Sequence, residues 1–236
     1  MGQIATLEPI LSPMLWTSIA TGHTADRHGI LGFTEPTPDH SGIRPVSSTS
    51  RTCKALWNIL TQSGLHSNVI GWYASHPAEP INGIYVSNQF ELVTTKAGVP
   101  WPIPAGSVHP PEYADRLAEF RVHPSEIDAA AVLPFIPDAA KLLNRPDARI
   151  GVLRRLLAQV ASIHAITTWL MENTTWDLTA VYYEGIDRFG HEFMPFHPPK
   201  MEQVSEEEFQ AYQHVMTGIY RFHDMMLERL LQLAWA

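Results

Sequence analysis

Trp176-Asp177-Leu178-Thr179-Ala180-Val181-Tyr182-Tyr183-Glu184 runs directly into Gly185-Ile186-Asp187-Arg188-Phe189-Gly190-His191. The first nine residues form a short run rich in β-branched and aromatic side chains, which predicts a strand buried on both faces. Just upstream, residues 149–173 carry apolar side chains on nearly every turn, which predicts a long helix. The same order occurs earlier in the chain. Cys53, Leu56, Trp57 and Leu60 recur at helical spacing between Thr52 and Ser63, and Gly64 stops that helix. The apolar run His66-Ser67-Asn68-Val69-Ile70-Gly71-Trp72-Tyr73-Ala74 follows it. Helices alternating with buried strands predict an α/β fold with a mainly parallel sheet flanked by helices. Ligands of such sheets bind beyond the carboxyl ends of the strands, and Asp187 and His191 fall just past one of those ends.

Near the start, Ser12-Pro13-Met14-Leu15-Trp16-Thr17-Ser18-Ile19-Ala20-Thr21-Gly22 predicts a short helix over 14–22. Ser12 stands at or near its N-cap, Pro13 in the first turn, and Thr21-Gly22 at the end. Residues 34–52, rich in Pro, Ser and Thr, read as a surface loop. Residues 75–111 are irregular, with short strands expected at Ile84–Val86 and Glu91–Thr94, and 96–145 is the expected insertion or cap. Ser205-Glu206-Glu207-Glu208 opens a final helix towards Ala236, a serine cap with acids in the first turn. With only two strong buried strands, the sheet is expected to be incomplete. Residues 1–236 then read as a partial domain, a fragment of a longer protein cut at both ends.

Bulk composition narrows the function. Of 236 residues, 45% are hydrophobic and 17% charged, which is globular and not disordered. A formal net charge of −8 without a Lys/Arg cluster argues against sequence-independent binding of nucleic acid polymers. The single cysteine, Cys53, excludes an intrachain disulfide and a thiolate metal site. No apolar run reaches the roughly 20 residues of a membrane span.

Asp187 and His191 share a face if their segment is helical, and carboxylate plus imidazole suits a zinc-like divalent ion. The same pair also reads as a turn cap and a surface histidine. Ser12 is a hydroxyl nucleophile candidate at a helix N-terminus, where backbone N–H groups and the helix dipole stabilise negative charge; it also reads as a plain N-cap. Thr17 and Ser18 lie deeper in the helix and read as structural. His28 in His28-Gly29-Ile30 reads as a turn histidine, His164 as core, and His197, His214 and His223 as solvated or packing residues. No G-x-S-x-G occurs, so a Ser-His-Asp hydrolase of that kind is not expected.

Together, SPMLWTSIATG followed by HGI, the Trp57-Asn58-Ile59-Leu60 helix, Gly71-Trp72-Tyr73-Ala74-Ser75-His76-Pro77-Ala78-Glu79 and Tyr182–His191 resemble the type I phosphodiesterase/nucleotide pyrophosphatase family of the alkaline phosphatase superfamily. The resemblance implies an alkaline-phosphatase-like fold and a hydrolase of small phosphoric esters. It implies two divalent ions, zinc or else manganese or iron, and a phosphoseryl intermediate. Carried over by position, Ser12 is the nucleophile and a ligand of the second ion, and Asp187 and His191 bind the first. Where the nucleotide pyrophosphatases have Thr and, three residues on, Asn, this chain has Ser12 and Leu15. A phosphomonoester or another phosphodiester is therefore as compatible as a nucleotide. The family's upstream Asp, its Asp-His-Gly and its final His have no counterpart in this sequence. A catalytically inactive phosphate- or ligand-binding module, or a sulfatase-like esterase, are the alternatives.

Overall fold

The computed structural model describes residues 5–91, 96, 98–137 and 148–235. They form two compact units. The first comprises residues 1–92, 102–118 and 173–182; the second comprises 93–101, 119–172 and 183–236.

The first unit contains α1 (Ser12–Thr21), α2 (Ala25–His28), the ribbon β1 (Thr34–Pro36) and β2 (Ile43–Pro45), α3 (Leu56–Gln62), β3 (Ser67–Ile70), β4 (Gly83–Val86), β5 (Val108–His109), α4 (Ala114–Ala118) and β6 (Leu178–Val181). Four strands form one sheet in the order β5-β4-β3-β6. β3 pairs in parallel with both β4 and β6, as the alternation predicts, and only the short edge strand β5 is antiparallel. All four residues of β3 are buried, consistent with its central place. Gly83 fixes the approach of β4 to β3: its φ is +129°, and a Cβ there would lie 2.1 Å from the Ser67 carbonyl oxygen. The core joins Ala20 of α1, Trp57 of α3, Val69 of β3, and Ile81 and Tyr85, with Trp72 and Ala180 packed against it.

Several local expectations shift. α1 begins at Ser12, with Leu11 in the cap position and no side-chain cap, so Ser12 is the first helical residue and not the N-cap. α3 starts at Leu56, four residues later than expected; Asn58 Oδ1 accepts the Ala55 N–H and closes its first turn. The stretch 34–52 is not simply loop, because it contains the ribbon β1–β2 held by the Glu35–Arg44 ion pair at 2.7 Å. Glu91 lies in a turn, and the rest of the strand expected at Glu91–Thr94 falls outside the described residues.

The second unit contains α5 (Ala129–Val132), α6 (Ala148–Asn173), α7 (Gly185–Phe193), α8 (Glu206–Tyr212) and α9 (Val215–Ala234). α6 matches the long predicted helix almost residue for residue. Its buried Ser162 and Thr167 are tolerated because each hydroxyl donates to the carbonyl four residues back, of Ala158 and Ile163. Leu153, Leu156 and Leu157 pack with Phe189, Phe193, Tyr212, Val215 and Ile219 in one core. Ser205 caps α8 in the expected capping box with Glu208. The final helix is two helices, not one: Tyr212 turns inward against Phe193 and Phe196, at 5.8 and 5.3 Å between ring centres, and the helix restarts at Val215. No helix among the described residues is long and apolar enough to cross a membrane.

Candidate functional site

In the first unit, an aromatic cluster seats α1 beyond the carboxyl ends of the parallel strands. Trp16 meets Tyr182, the residue after β6, at 4.4 Å between ring centres, and Trp72, just after β3, at 5.5 Å. Trp72 also donates its indole N–H to the Trp16 carbonyl. Ser12 and Trp16 are four residues apart in α1 and so share a face, which turns the face carrying Ser12 towards those strand ends. Ser12 is partly exposed. Among the described residues, no hydrogen bond engages its hydroxyl. The first turn of α1 carries no acidic side chain that would compete for its N–H groups.

The loop after β3 is strained. Gly71 has φ +66° and donates its N–H to the Val86 carbonyl, turning the chain out of the sheet. Ala74 is held at φ +52°, a left-handed conformation that costs an L-residue with a Cβ about 1–2 kcal/mol. Reciprocal bonds keep it there: the Ser75 N–H donates to Asn88 Oδ1, and the Asn88 N–H donates to Ser75 Oγ. Ala74, Tyr73, Ser75, Thr17 and Arg51 line a small hollow beside α1.

Beneath that hollow lies a polar network that the sequence did not disclose. The Glu79 carboxylate accepts from Arg51 at 2.7 Å, from the Asn58 amide at 3.0 Å, from the Trp57 indole at 3.2 Å and from the Tyr85 hydroxyl at 3.4 Å. Burial, reinforced by the Glu79 charge, pushes the Tyr85 phenol well above its usual range, so it remains a donor. His28 is fully buried, with Nδ1 accepting the Ile30 N–H and Nε2 at 3.0 Å from Ser18 Oγ. This fixes the neutral Nε2–H tautomer, which donates to Ser18 and so cannot act as its base. Ser18–His28 is a structural pair, in line with the sequence reading of both residues.

In the second unit, α7 is strongly two-faced. Gly185, Phe189 and Phe193 point inward, the glycine because a Cβ there would meet Val160 at 2.6 Å and the His223 ring at 2.7 Å. Asp187 and His191 lie on the exposed face with Oδ2 and Nε2 3.5 Å apart. Two ligands about 2.0–2.1 Å from a tetrahedral ion stand roughly 3.3–3.5 Å apart, so the pair has the spacing of two adjacent metal ligands. Glu184, the neighbouring carboxylate, faces Arg188 at 3.6 Å, and burial raises its pKa. Among the described residues, no group of three or more His, Cys, Asp or Glu side chains is gathered as a metal site. The pair therefore fits part of a divalent-ion site, and a complete centre is not assembled from these residues.

His164 and His223 are packing residues. His164 Nδ1 lies 2.8 Å from the Tyr183 hydroxyl, and the His223 ring meets Tyr183 edge-on at 5.8 Å. Burial lowers the pKa of both imidazoles and raises that of the Tyr183 phenol.

The family model for type I phosphodiesterase/nucleotide pyrophosphatase matches residues 5–234. The chain belongs to this family. Its parallel-rich sheet flanked by helices agrees with the alkaline-phosphatase-like fold of these enzymes, which hydrolyse phosphodiester and pyrophosphate bonds and generally use divalent metal ions. Neither the search of curated proteins nor that of solved structures returns a match.

Proposed function

We propose that the chain acts on small phosphoric esters as a metal-dependent hydrolase, with Ser12 Oγ as the nucleophile. The supporting observation is the position of Ser12: first residue of α1, hydroxyl unengaged among the described residues, on the face that Trp16 turns to the carboxyl ends of β3 and β6. The first-turn N–H groups and the dipole of α1 favour the anionic phosphoryl group there. In the first half-reaction the Ser12 Oγ–P bond forms as the ester P–O bond breaks, and the hydroxyl proton leaves with the departing alcohol. Water then attacks phosphorus, the Oγ–P bond breaks, and the serine hydroxyl is restored.

Asp187 and His191 would hold a divalent ion, which supplies Lewis-acid chemistry when bound. Their 3.5 Å donor spacing supports this. A phosphate-binding module without turnover is the second reading, favoured by the lack of a three-ligand group among the described residues.

One experiment separates the two readings. Hydrolysis of p-nitrophenyl phosphate and bis-p-nitrophenyl phosphate is measured with added zinc or manganese, for the parent chain and Ser12→Ala. The hydrolase reading expects turnover that Ser12→Ala abolishes, with phosphoserine at position 12 recovered by acid quench and mass spectrometry. Unaltered hydrolysis in Ser12→Ala rules out the nucleophile, and phosphate binding without turnover selects the binding module.

A further inference from the structure

We propose that Asn82 is a site of spontaneous covalent modification: hydrolytic deamidation across the Asn82–Gly83 peptide, held back by the fold and irreversible once it has occurred. Asn82-Gly83 is the single Asn-Gly step in the sequence. Glycine hinders attack on a preceding asparagine least, because it has no side chain. The nucleophile is free to act. Ser67 donates its N–H to the Asn82 carbonyl and Gly71 donates to that of Val86, so Asn82 and Val86 face β3. Strand alternation then turns the Gly83 N–H the other way. On that side β5 pairs only with Tyr85 and Val86, which leaves the Gly83 N–H outside both ladders. Asn82 itself is half-buried, within reach of water.

The fold restrains the electrophile. The Asn82 side-chain amide donates to the carbonyls of Gly64 at 3.3 Å and Leu65 at 3.2 Å, and its backbone N–H donates to Thr61 Oγ1 at 2.9 Å. These bonds tie the start of β4 to the end of α3 and the turn after it. Ring closure requires the amide carbon to leave both carbonyls, so the reaction waits on local opening of this junction. Base then removes the Gly83 amide proton, the Gly83 nitrogen bonds to Asn82 Cγ, and the Cγ–Nδ2 bond breaks to release ammonia. Water opens the cyclic imide at either carbonyl, leaving aspartate or isoaspartate. Neither product relocks. An ionised carboxylate only accepts hydrogen bonds, and at position 82 it would face the two carbonyl oxygens that the amide had satisfied. Isoaspartate adds a methylene to the main chain where Gly83 approaches Ser67 too closely for even a Cβ. The change reaches the candidate site, because β3 continues through Gly71 into Trp72, which donates to the Trp16 carbonyl of α1.

The test incubates the full chain in mildly alkaline buffer, both native and unfolded in guanidinium. Conversion at each asparagine is read by peptide mass mapping, and isoaspartate by isoaspartyl methyltransferase labelling. Conversion should be led by Asn82, slow in the native chain and much faster in guanidinium. In native Thr61→Val, which loses one hydrogen bond, it should rise roughly fivefold. The converted chain, separated by ion exchange, should unfold at lower denaturant than the parent, and Asn82→Asp at lower denaturant than Asn82→Ala. Conversion absent from the unfolded chain, or equally fast in the native and unfolded chains, overturns the proposal. So does an Asn82→Asp chain as stable as the parent or, where that variant fails to fold, a converted chain whose midpoint equals the parent's.

Discussion

Removing the Glu79 carboxylate should be among the most damaging single changes in the first unit. Arg51 and Glu79 lie 2.7 Å apart, with side chains only 11% and 15% exposed. At an effective dielectric of about 20 their attraction is roughly 6 kcal/mol, much of it offset by the cost of taking both charges out of water. Glu79→Ala forfeits the attraction and leaves that cost on Arg51. It also strands the donors of Asn58, Trp57 and Tyr85. Breaking a buried pair from one side costs about 3–5 kcal/mol, which for a protein of this size is a fall of roughly 6–20 °C in melting temperature. The paired change Arg51→Met/Glu79→Leu removes both charges and should cost markedly less, since apolar replacement of a whole buried pair is often near neutral. The assay is guanidinium unfolding followed by tryptophan emission, which reads the perturbation directly because the Trp57 indole donates to Glu79. The effect should reach Ser12, since Trp57 packs on Trp72 at 5.7 Å and Trp72 on Trp16 at 5.5 Å. A loss below about 1 kcal/mol in Glu79→Ala, or a double variant as unstable as the single one, would refute the argument that a desolvated charge pair braces the bed of α1.

Further outcomes follow from the same geometry. Burial depresses the pKa of His28, His76, His164 and His223, so each resists protonation when folded. The native state then binds fewer protons than the unfolded chain. Stability is full above the unfolded histidine value near 6.5 and is lost as pH falls from there through the folded values, by up to about 1.4 kcal/mol per pH unit for each group; urea midpoints that are equal or higher at pH 5.5 than at pH 7.5 would contradict this. Ala74→Gly should raise stability by up to about 1 kcal/mol in thermal unfolding, because glycine meets no Cβ penalty at φ +52°, and a fall would show that the entropy glycine adds to the unfolded chain outweighs the relief of φ strain there. Gly83→Ala should cost about 3 kcal/mol or more by driving β4 away from the Ser67 backbone; an unchanged denaturation midpoint would argue against the close β3–β4 approach. Zinc titration should show weak binding that Asp187→Asn removes, as two donors 3.5 Å apart dictate; indifference to Asp187→Asn would place any bound zinc elsewhere.

The elements that were legible in sequence are those whose stability is local or whose burial is nearly complete. α6 shows an apolar face repeated over 26 residues, and Ser205 shows a capping box, each encoded within one segment. β3 reads as a strand because burial on both faces leaves a continuous apolar run. β6, expected to be buried on both faces, is half-buried at the end of the sheet order and reads as a strand from its β-branched and apolar residues. The helix break between Tyr212 and Val215 was not legible: no proline or glycine marks it, and the turn exists because Tyr212 packs against Phe193 and Phe196. The β1–β2 ribbon was equally hidden, its pairing register joining residues that carry no strand pattern of their own.

The candidate site divides along the same line. The amino-acid sequence alone determined the α/β class, the residue types at Ser12, Asp187 and His191, and the spacing that puts the last two on one helical face, because these depend on periodicity along a single segment. Only the tertiary structure decided that Ser12 begins α1 instead of capping it, that Trp16 seats this helix on Trp72 and Tyr182, that Glu79 gathers four donors, and that His28 holds the tautomer that leaves Ser18 inert. Each of these rests on contacts between residues far apart in the chain, and such contacts are fixed by packing and desolvation in three dimensions.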